Sequence, residues 1–235
     1  MLRIGGIEVK IQFLGTGTPR NELRKSYDGR DDRRCSSIMI DDLMIVDPGP
    51  DIYKFEKEFG YSGLYDEVET VLCTNKSKSN YSKKAMLKLS AKELKVRNFK
   101  TAESRFFTVT AYPANYTGAK NSKCYVIKSK TDGRKIFYSG EGAWLLGPVA
   151  EELQKDRYDL MIFEATVGEG SGDGRIFEHN DLAMVKELAK VFAQRTDRFM
   201  ITHMDCDSHA DHETLCKEMA PFGIDVAFDN LTITI

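Results

Sequence analysis

The sequence predicts an α/β fold in which two β-sheets pack between layers of helices. Short apolar segments typical of strands occur in runs in both halves of the chain, and segments with helical spacing separate these runs. Turn residues end most of the strand-like segments. No linker or change of composition divides the 235 residues, so we predict one domain over residues 1–235.

Composition favours a cytoplasmic protein with an ordinary hydrophobic core. Hydrophobic residues make up 41% of the chain and charged residues 30%, while the net charge of −2 provides no chain-wide basic field for nucleic acid. The five cysteines are widely spaced and form no C-x-x-C pair, which argues against a disulfide framework and a thiolate zinc site. We expect no membrane partner, because no apolar stretch reaches the length of a membrane span.

The first half of the chain opens with strands. Residues 7–13 alternate apolar and polar and end in the turn "GTGTP", after which the charged segment "RNELRKSYDGRDDRR" predicts a surface loop. The runs "SSIMI" and "LMIVD" predict a hairpin that turns at Asp41 and Asp42. A helix in "IYKFEKEFG", a buried strand in "VETVLCT" and a helix over "KAMLKLSAKEL" follow.

The second half repeats this logic. The segments "FFTVTAYPA", "SKCYVIKSK" and "KIFYSGE" predict strands, and "TDG" marks a hairpin between the last two. Helices are predicted in "PVAEELQK", in "NDLAMVKELAKVFAQ" with Asn180 or Asp181 as its cap, and in "DHETLCKEMAPFG". The strands "YDLMIFEAT", "RFMITHM", "IDVAF" and "LTITI" complete the pattern.

Three acidic or imidazole side chains follow strands directly. Asp47 stands before the rigid turn of "IVDPGPD", where a carboxylate either caps backbone amides or orients a ligand residue. Glu141 follows a strand in "GEGAW", and His203 follows another in "ITHM". Taken singly, such residues more often serve their own backbone or a structural hydrogen bond than a ligand.

Together, these segments occur in a familiar order. The sequence resembles the metallo-β-lactamase-fold hydrolases, and within them the cyclic-phosphate phosphodiesterase and tRNase Z-like branch. The resemblance covers nearly the whole chain, through "IQFLGTGTP", "LMIVDPGPD", "VLCT", "YPANYTG", "IFYSGEGAW", "YDLMIFEAT" and "FMITHM". It implies a four-layer αββα sandwich and a metal-dependent hydrolase activity on phosphodiesters.

The resemblance also implies where metal ligands would lie. The family motif T-H-x-H-x-D-H aligns with the loop from Thr74 to Asn80. The family's ligand positions in this chain are Asn75, Ser77, Ser79, Asn80, Tyr116, Glu141 and His203. His203 alone keeps the family's residue, and Glu141 lengthens its aspartate by one methylene. Neutral amides and hydroxyls replace imidazole and carboxylate poorly as metal ligands, so the usual dinuclear site and its hydrolysis are not expected.

Expectations about cofactors follow from this loss. No cofactor is expected, and Zn²⁺ or Mn²⁺ would bind only if Glu141 and His203 form a residual site. The segment "THMDCDSHADH" adds an acid and imidazole cluster that either joins a rearranged site or caps the following helix. Its members are Asp205, Asp207, His209 and His212. His179 is predicted to contribute to a helix cap, with a catalytic role as the alternative.

Three functional hypotheses remain open. A catalytically silent relative would bind a phosphorylated small molecule or an RNA end in the old cleft, with Lys76 and Lys78 as possible anion-binding residues. A hydrolase with a rearranged or single-metal site would keep phosphodiesterase activity. A structural subunit would have its cleft filled by side chains such as Tyr116, whose orientation the sequence does not predict.

Overall fold

The computed structural model describes residues 8–19, 29–169 and 172–235. Its strands are β1 (Lys10–Gly15), β2 (Ser37–Ile40), β3 (Met44–Val46), β4 (Thr70–Leu72), β5 (Lys92–Glu93), β6 (Lys100–Glu103), β7 (Phe107–Pro113), β8 (Lys123–Ser129), β9 (Lys135–Tyr138), β10 (Leu160–Glu164), β11 (Phe199–Thr202), β12 (Ile224–Val226) and β13 (Thr232–Thr234). Its helices are α1 (Ile52–Phe59), α2 (Lys83–Leu89), α3 (Gly147–Leu153), α4 (Leu182–Phe192) and α5 (His212–Met219). Two 3₁₀ turns cover Gly174–Phe177 and Ala220–Phe222.

The strands form two mixed sheets. Within the described ranges, six strands pair in the order β13–β1–β2–β3–β4–β5, and seven pair in the order β12–β11–β10–β9–β8–β7–β6. Apolar side chains of both sheets share one core, while α1 and α2 cover the outer face of the first sheet and α3, α4 and α5 cover that of the second. The predicted α/β class and its four αββα layers are therefore confirmed.

Alternation in the sequence places the core side chains of the first strand. Val9, Ile11 and Phe13 are buried between the sheets, whereas Leu14 packs on the helix side of its sheet. Each fully buried side chain of this size contributes about 1.5–3 kcal/mol relative to an exposed position. Ile7 and residues 20–28 of the predicted polar loop lie outside the described residues.

Local turn and cap chemistry agrees with the sequence. Asp41 and Asp42 both adopt positive φ angles, 53° and 60°, as a hairpin turn of the primed type requires. Asp181 caps α4, since its side chain accepts a hydrogen bond from the backbone amide of Met184. The hairpin and the cap of α4 were both predicted correctly. No described helix is long and apolar enough to cross a bilayer.

Two differences from the predicted elements concern short polar segments. The helix expected over "KAMLKLSAKEL" ends at Leu89, because Ser90 takes a left-handed conformation with φ of 52°. Lys92 and Glu93 then pair with β4 as strand β5. The edge strand β6 was not predicted, since its exposed sequence "KTAE" carries no alternation of apolar residues.

The topology brings several strand ends together. Strands β9, β10 and β11 run parallel, so their carboxyl ends lie at the same edge of the second sheet. The turns that follow β9, β10 and β11 carry Glu141, Thr166 and His203, respectively. The loop after β4 in the first sheet faces the same edge, where the side chains of Asn75 and Glu141 are in contact.

Candidate functional site

A cleft of about 450 Å³ opens at this edge of the two sheets. Five of the ligand positions named from the sequence line it, and these are Ser77, Ser79, Tyr116, Glu141 and His203. Lys78 also lines the cleft, together with His179, for which the sequence left a catalytic role open, and with Thr166 and Arg175, which the sequence did not single out as site residues. Asn75 and Asn80 are buried, and they contact the lining residues through hydrogen bonds.

Asp47 holds the loop that follows β4. Its carboxylate accepts hydrogen bonds from the Thr74 backbone amide at 2.7 Å and from the Thr74 hydroxyl at 2.8 Å. Asn80 Nδ2 in turn donates to Thr74 Oγ1 at 3.0 Å. Complete burial raises the pKa of Asp47 well above its usual range, although the bonds from Thr74 oppose that rise. Asp47 therefore orients the loop through Thr74 rather than facing the cleft.

Asn75 and Glu141 are joined directly. Asn75 Oδ1 accepts a hydrogen bond from the Ser77 backbone amide at 2.8 Å, which fixes the orientation of the side-chain amide. Its Nδ2 consequently faces Glu141 and donates to Oε2 at 2.7 Å. Burial alone would raise the pKa of Glu141, but His203 and the Asn75 amide lower the pKa below its usual value. Glu141 is therefore an ionised carboxylate with protein donors around it.

The two serines of the loop form a chain with Asn80. Ser77 Oγ and Ser79 Oγ are 2.8 Å apart, and Ser79 Oγ donates to Asn80 Oδ1 at 2.6 Å. Because each hydroxyl has one proton to donate, this chain directs the proton of Ser79 away from the cleft. The replaced ligand positions thus satisfy one another with hydrogen bonds.

The two lysines singled out from the sequence point in different directions. Lys76 Nζ lies 2.8 Å from Glu93 Oε1 and 3.9 Å from the centre of the Tyr81 ring. Lys78 is exposed and lines the cleft. The structure therefore places Lys78, and not Lys76, where an anionic ligand in the cleft would meet it.

Tyr116 forms part of the wall without closing the cleft. Its ring centre lies 5.2 Å from that of His179, and its hydroxyl lies against the backbone of Gly118. Burial, with the nearby negative charge of Glu141, raises the pKa of Tyr116 to about 12. The side chain is therefore a neutral, half-buried aromatic surface beside the imidazoles.

A cluster that sequence reasoning missed lies beside Glu141. Glu164 at the end of β10, His179 and His203 each place one potential metal-ligand atom within 4.8 Å of the others. His179 Nδ1 is 3.1 Å from Glu164 Oε1, and this contact raises the pKa of His179 although burial acts to lower it. The available signal was the same as for Glu141 and His203, because Glu164 also ends a buried strand.

The proposed role of His179 in a helix cap is wrong. Its side chain enters the cleft, and Asp181 caps α4 instead. Asn180 also has another role, since its Oδ1 accepts a hydrogen bond from the Trp144 backbone amide at 2.6 Å.

The acid and imidazole segment after β11 does not converge on one point. Asp205 forms an ion pair with Arg175, and His209 Nε2 lies 2.7 Å from the carbonyl oxygen of Ala165. His212 begins α5 and packs against the Phe228 ring at 5.2 Å between ring centres. Asp207 donates its backbone amide to Asp205 Oδ1 at 3.2 Å. These contacts stabilise the segment locally and do not assemble the ligand set considered from the sequence.

The metal ions implied by the resemblance do not fit the residues that stand at the ligand positions. Asn75 turns the NH₂ end of its amide toward Glu141 and donates to Oε2, so it presents a donor where a cation needs lone pairs. The hydroxyls of Ser77 and Ser79 are bonded to each other, and Asn80 accepts from Ser79. Of the ligand positions, Glu141 and His203 alone carry a carboxylate and an imidazole, which is fewer than a dinuclear centre requires.

Comparisons with known proteins identify the fold. No family model matches this sequence, and no curated protein matches it. The structure of the metallo-beta-lactamase fold protein YhfI from Bacillus subtilis is similar, with 14% identity, a TM-score of 0.73, and coverage of 97% of this chain and 100% of that chain.

Two further solved structures are similar over nearly their full length. One is a diphosphatase from the PhnP family, with 16% identity, a TM-score of 0.70, and coverage of 96% of this chain and 97% of that chain. The other is the short form of human tRNase Z, with 14% identity, a TM-score of 0.65, and coverage of 95% and 98%. At such low identity these likenesses establish the architecture alone. Together with the two sheets and the cleft at their edge, they show that this chain has the metallo-β-lactamase fold.

Proposed function

We propose that this chain is a catalytically silent relative of the metallo-β-lactamase-fold hydrolases that binds a phosphorylated ligand in the cleft. One observation carries the first part of this proposal. The amide of Asn75 donates to Glu141 at 2.7 Å at the position where the resemblance would place two metal ligands. The amide N–H of Asn75 gives the Glu141 carboxylate a hydrogen bond where a metal ion would otherwise neutralise it. The carboxylate therefore has a partner without metal.

The loss of hydrolysis follows from the chemistry of a two-metal site. Such a site lowers the pKa of a bound water and stabilises the charge on the attacking and leaving oxygens. Asn, Ser and Tyr side chains at positions 75, 77, 79, 80 and 116 supply neither function. The vestigial ligand positions therefore have a structural role, in which they hold the floor of the cleft by hydrogen bonds.

The open cleft supports ligand binding over a purely structural role. The structural alternative requires side chains such as Tyr116 to fill the cleft, whereas Tyr116 lies on its wall and about 450 Å³ remains open. Lys78 lines the cleft, and we expect its ammonium group to contact a phosphate group bound there. Arg175 also lines the cleft, but Asp173 and Asp205 already neutralise its guanidinium. Similar structures include a diphosphatase and a tRNase Z, which favours a phosphorylated ligand.

The first experiment separates a silent relative from a hydrolase. Metal content is measured by elemental analysis on protein purified without chelator or immobilised metal, and phosphodiester hydrolysis is then assayed with bis(p-nitrophenyl) phosphate plus Zn²⁺ or Mn²⁺. We expect substoichiometric metal and no turnover above the metal-only control. About one or two metal ions per chain with metal-dependent turnover would contradict the proposal and favour the single-metal hydrolase.

The second experiment tests the ligand. Binding of inorganic phosphate, ADP and a 5′-phosphorylated RNA oligonucleotide is measured by calorimetry for the wild type, Lys78→Ala and Lys76→Ala. Loss of a charge-assisted contact should weaken binding roughly tenfold in Lys78→Ala. Lys76→Ala is the matched control, because Lys76 is held by Glu93 outside the cleft. Equal affinities in both variants, or no binding of any probe by the wild type, would contradict a phosphate site at Lys78.

A further inference from the structure

Thr166 occupies the centre of the cluster formed by Glu164, His179 and His203. Its Oγ1 is 2.7 Å from Glu164 Oε2, 3.1 Å from His179 Nδ1 and 2.9 Å from His203 Nδ1. The Thr166 side chain is buried at the carboxyl end of β10. One hydroxyl thus contacts all three side chains whose ligand atoms lie within 4.8 Å of one another.

Counting protons assigns the hydrogen bonds around this hydroxyl. Thr166 has one proton, and its nearest acceptor is the carboxylate of Glu164 at 2.7 Å, with the His203 carbonyl oxygen at 3.1 Å. At most one of the two imidazole Nδ1 atoms can accept this single proton, so at least one of them carries its own proton and donates to Oγ1. His179 Nδ1 also lies 3.1 Å from Glu164 Oε1, which is consistent with a proton at that nitrogen. The hydroxyl therefore both donates and accepts within the cluster.

The same three side chains offer suitable ligand atoms for one divalent cation. Two imidazole nitrogens and one carboxylate oxygen form the N₂O donor set that Zn²⁺ and Co²⁺ accept, with a further position open to the cleft. Hydrogen bonds and metal bonds use the same lone-pair directions. Because zinc–nitrogen bonds are about 2.0–2.1 Å long, a cation on those directions would lie about 1 Å from the present position of Oγ1. The cation and the hydroxyl cannot occupy the cluster together.

We propose that the Thr166 hydroxyl keeps closed a mononuclear metal site composed of Glu164, His179 and His203. This site differs from the set of ligand positions that the resemblance implies, and it shares with that set His203 alone. Its occupant is a single divalent cation of the zinc class, and it opens when the Thr166 side chain is removed. The inference goes beyond the proposed function, because it does not depend on which ligand the cleft binds.

Three substitutions at position 166 test this arrangement. Thr166→Ala removes the hydroxyl and opens the centre of the cluster, Thr166→Ser keeps the hydroxyl, and Thr166→Val replaces it with a methyl group of similar size. Zn²⁺ and Co²⁺ binding is measured by calorimetry and by the visible absorption of Co²⁺. In the wild type a cation must displace a hydroxyl with several hydrogen bonds, so Thr166→Ala should bind roughly 100-fold more tightly than the wild type, Ser and Val proteins.

Two results would overturn the proposal in this series. The first is a wild-type protein that binds the metal as tightly as Thr166→Ala. The second is tight binding by Thr166→Ala that persists after His179→Ala is added, since the site would then lie elsewhere. Absence of tight binding in a folded Thr166→Ala protein, as judged by circular dichroism, would also contradict it.

A measurement on the wild type avoids any dependence on the folding of the variants. Long-range ¹H–¹⁵N correlation spectra distinguish a protonated from a bare imidazole nitrogen. We expect a proton at Nδ1 of at least one of His179 and His203, because the single proton of the Thr166 hydroxyl leaves at least one of these nitrogens as the donor. Bare Nδ1 atoms on both imidazoles would mean that the hydroxyl does not hold them, and the proposal would fail.

Discussion

The side-chain amide of Asn75 donates a 2.7 Å hydrogen bond to the carboxylate of Glu141, 66 residues later in the chain. This bond joins the loop after β4 in the first sheet to the turn after β9 in the second. Both residues are buried, and the orientation of the amide is fixed by the Ser77 backbone. The contact therefore links the two sheets at the floor of the cleft.

Removing this amide should destabilise the protein. In Asn75→Ala the buried carboxylate of Glu141 loses a donor, which should cost about 2 kcal/mol of the free energy of unfolding. The bond helps to hold the pKa of Glu141 below its usual value, so this cost should shrink as the pH falls below the ordinary glutamate range. Urea unfolding at pH 7 and at low pH measures both effects.

Lys76→Ala is the control for that measurement. Lys76 is the next residue in the loop, and its ion pair with Glu93 is half exposed to solvent. An exposed pair of this kind contributes less than about 1 kcal/mol. Equal losses of stability in Asn75→Ala and Lys76→Ala would show that the Asn75–Glu141 bond contributes no more to the free energy of unfolding than an exposed ion pair.

His209 should make the protein less stable in mild acid. Burial, together with the positive charge of Arg33, lowers the pKa of His209 to about 4. An unfolded histidine has a pKa near 6.5, so the native state binds fewer protons than the unfolded state between these values. Up to about 3 kcal/mol of stability that is present above pH 6.5 should be lost as the pH falls toward 4.

His209→Gln is the variant that tests this origin. Its amide can still donate to the Ala165 carbonyl, which lies 2.7 Å from His209 Nε2, but it does not titrate. The stability of the variant should therefore fall less steeply than that of the wild type between pH 7 and pH 4. Parallel pH profiles would assign the acid sensitivity to other groups.

Asp229 should be essential for stability because it partners a buried arginine. Arg34 Nη1 is 3.0 Å from Asp229 Oδ2, and neither side chain is more than 9% exposed. In Asp229→Ala the buried guanidinium loses this partner, which should cost about 3–5 kcal/mol. Asp225→Ala is the control, since Asp225 pairs with Arg198 at the surface and should contribute less than about 1 kcal/mol. Comparable thermal unfolding of the two variants would contradict the expectation.

Gly49 should not tolerate a side chain. A Cβ atom at this position would lie 2.1 Å from the backbone oxygen of Ser79, which cannot move without shifting the loop. We expect Gly49→Ala to cost more than about 2 kcal/mol and to disturb the cleft. Gly147→Ala is the matched control, because open space surrounds Gly147 and the change should stay within about 1 kcal/mol. If chemical denaturation shows almost no change in the free energy of unfolding for Gly49→Ala, the turn at Gly49 and the loop at Ser79 can move apart at little cost.

The sequence predicted the elements whose signals are local. Alternation of apolar residues marked β1, the paired aspartates at 41 and 42 marked the hairpin, and Asp181 was one of two candidate caps for α4. The edge strands β5 and β6 were missed because they are short, polar and exposed, and they exist only through pairing with neighbouring strands. Their pairing depends on tertiary contacts rather than on their own side chains.

By itself, the sequence predicted the layered fold, and its resemblance to the metallo-β-lactamase-fold hydrolases implied which metal-ligating residue types are replaced, because both depend on the order and chemistry of side chains along the chain. Only the tertiary structure decided which side chains meet in the cleft. Glu164 and His203 lie 39 positions apart in the sequence, and the parallel pairing of β10 with β11 places their ends side by side. The tertiary structure also directs Lys76 toward Glu93, unlike Lys78, and it places the Thr166 hydroxyl between the imidazoles of His179 and His203. Spacing along a chain cannot specify such convergence, since it arises from the packing of residues that are distant in sequence.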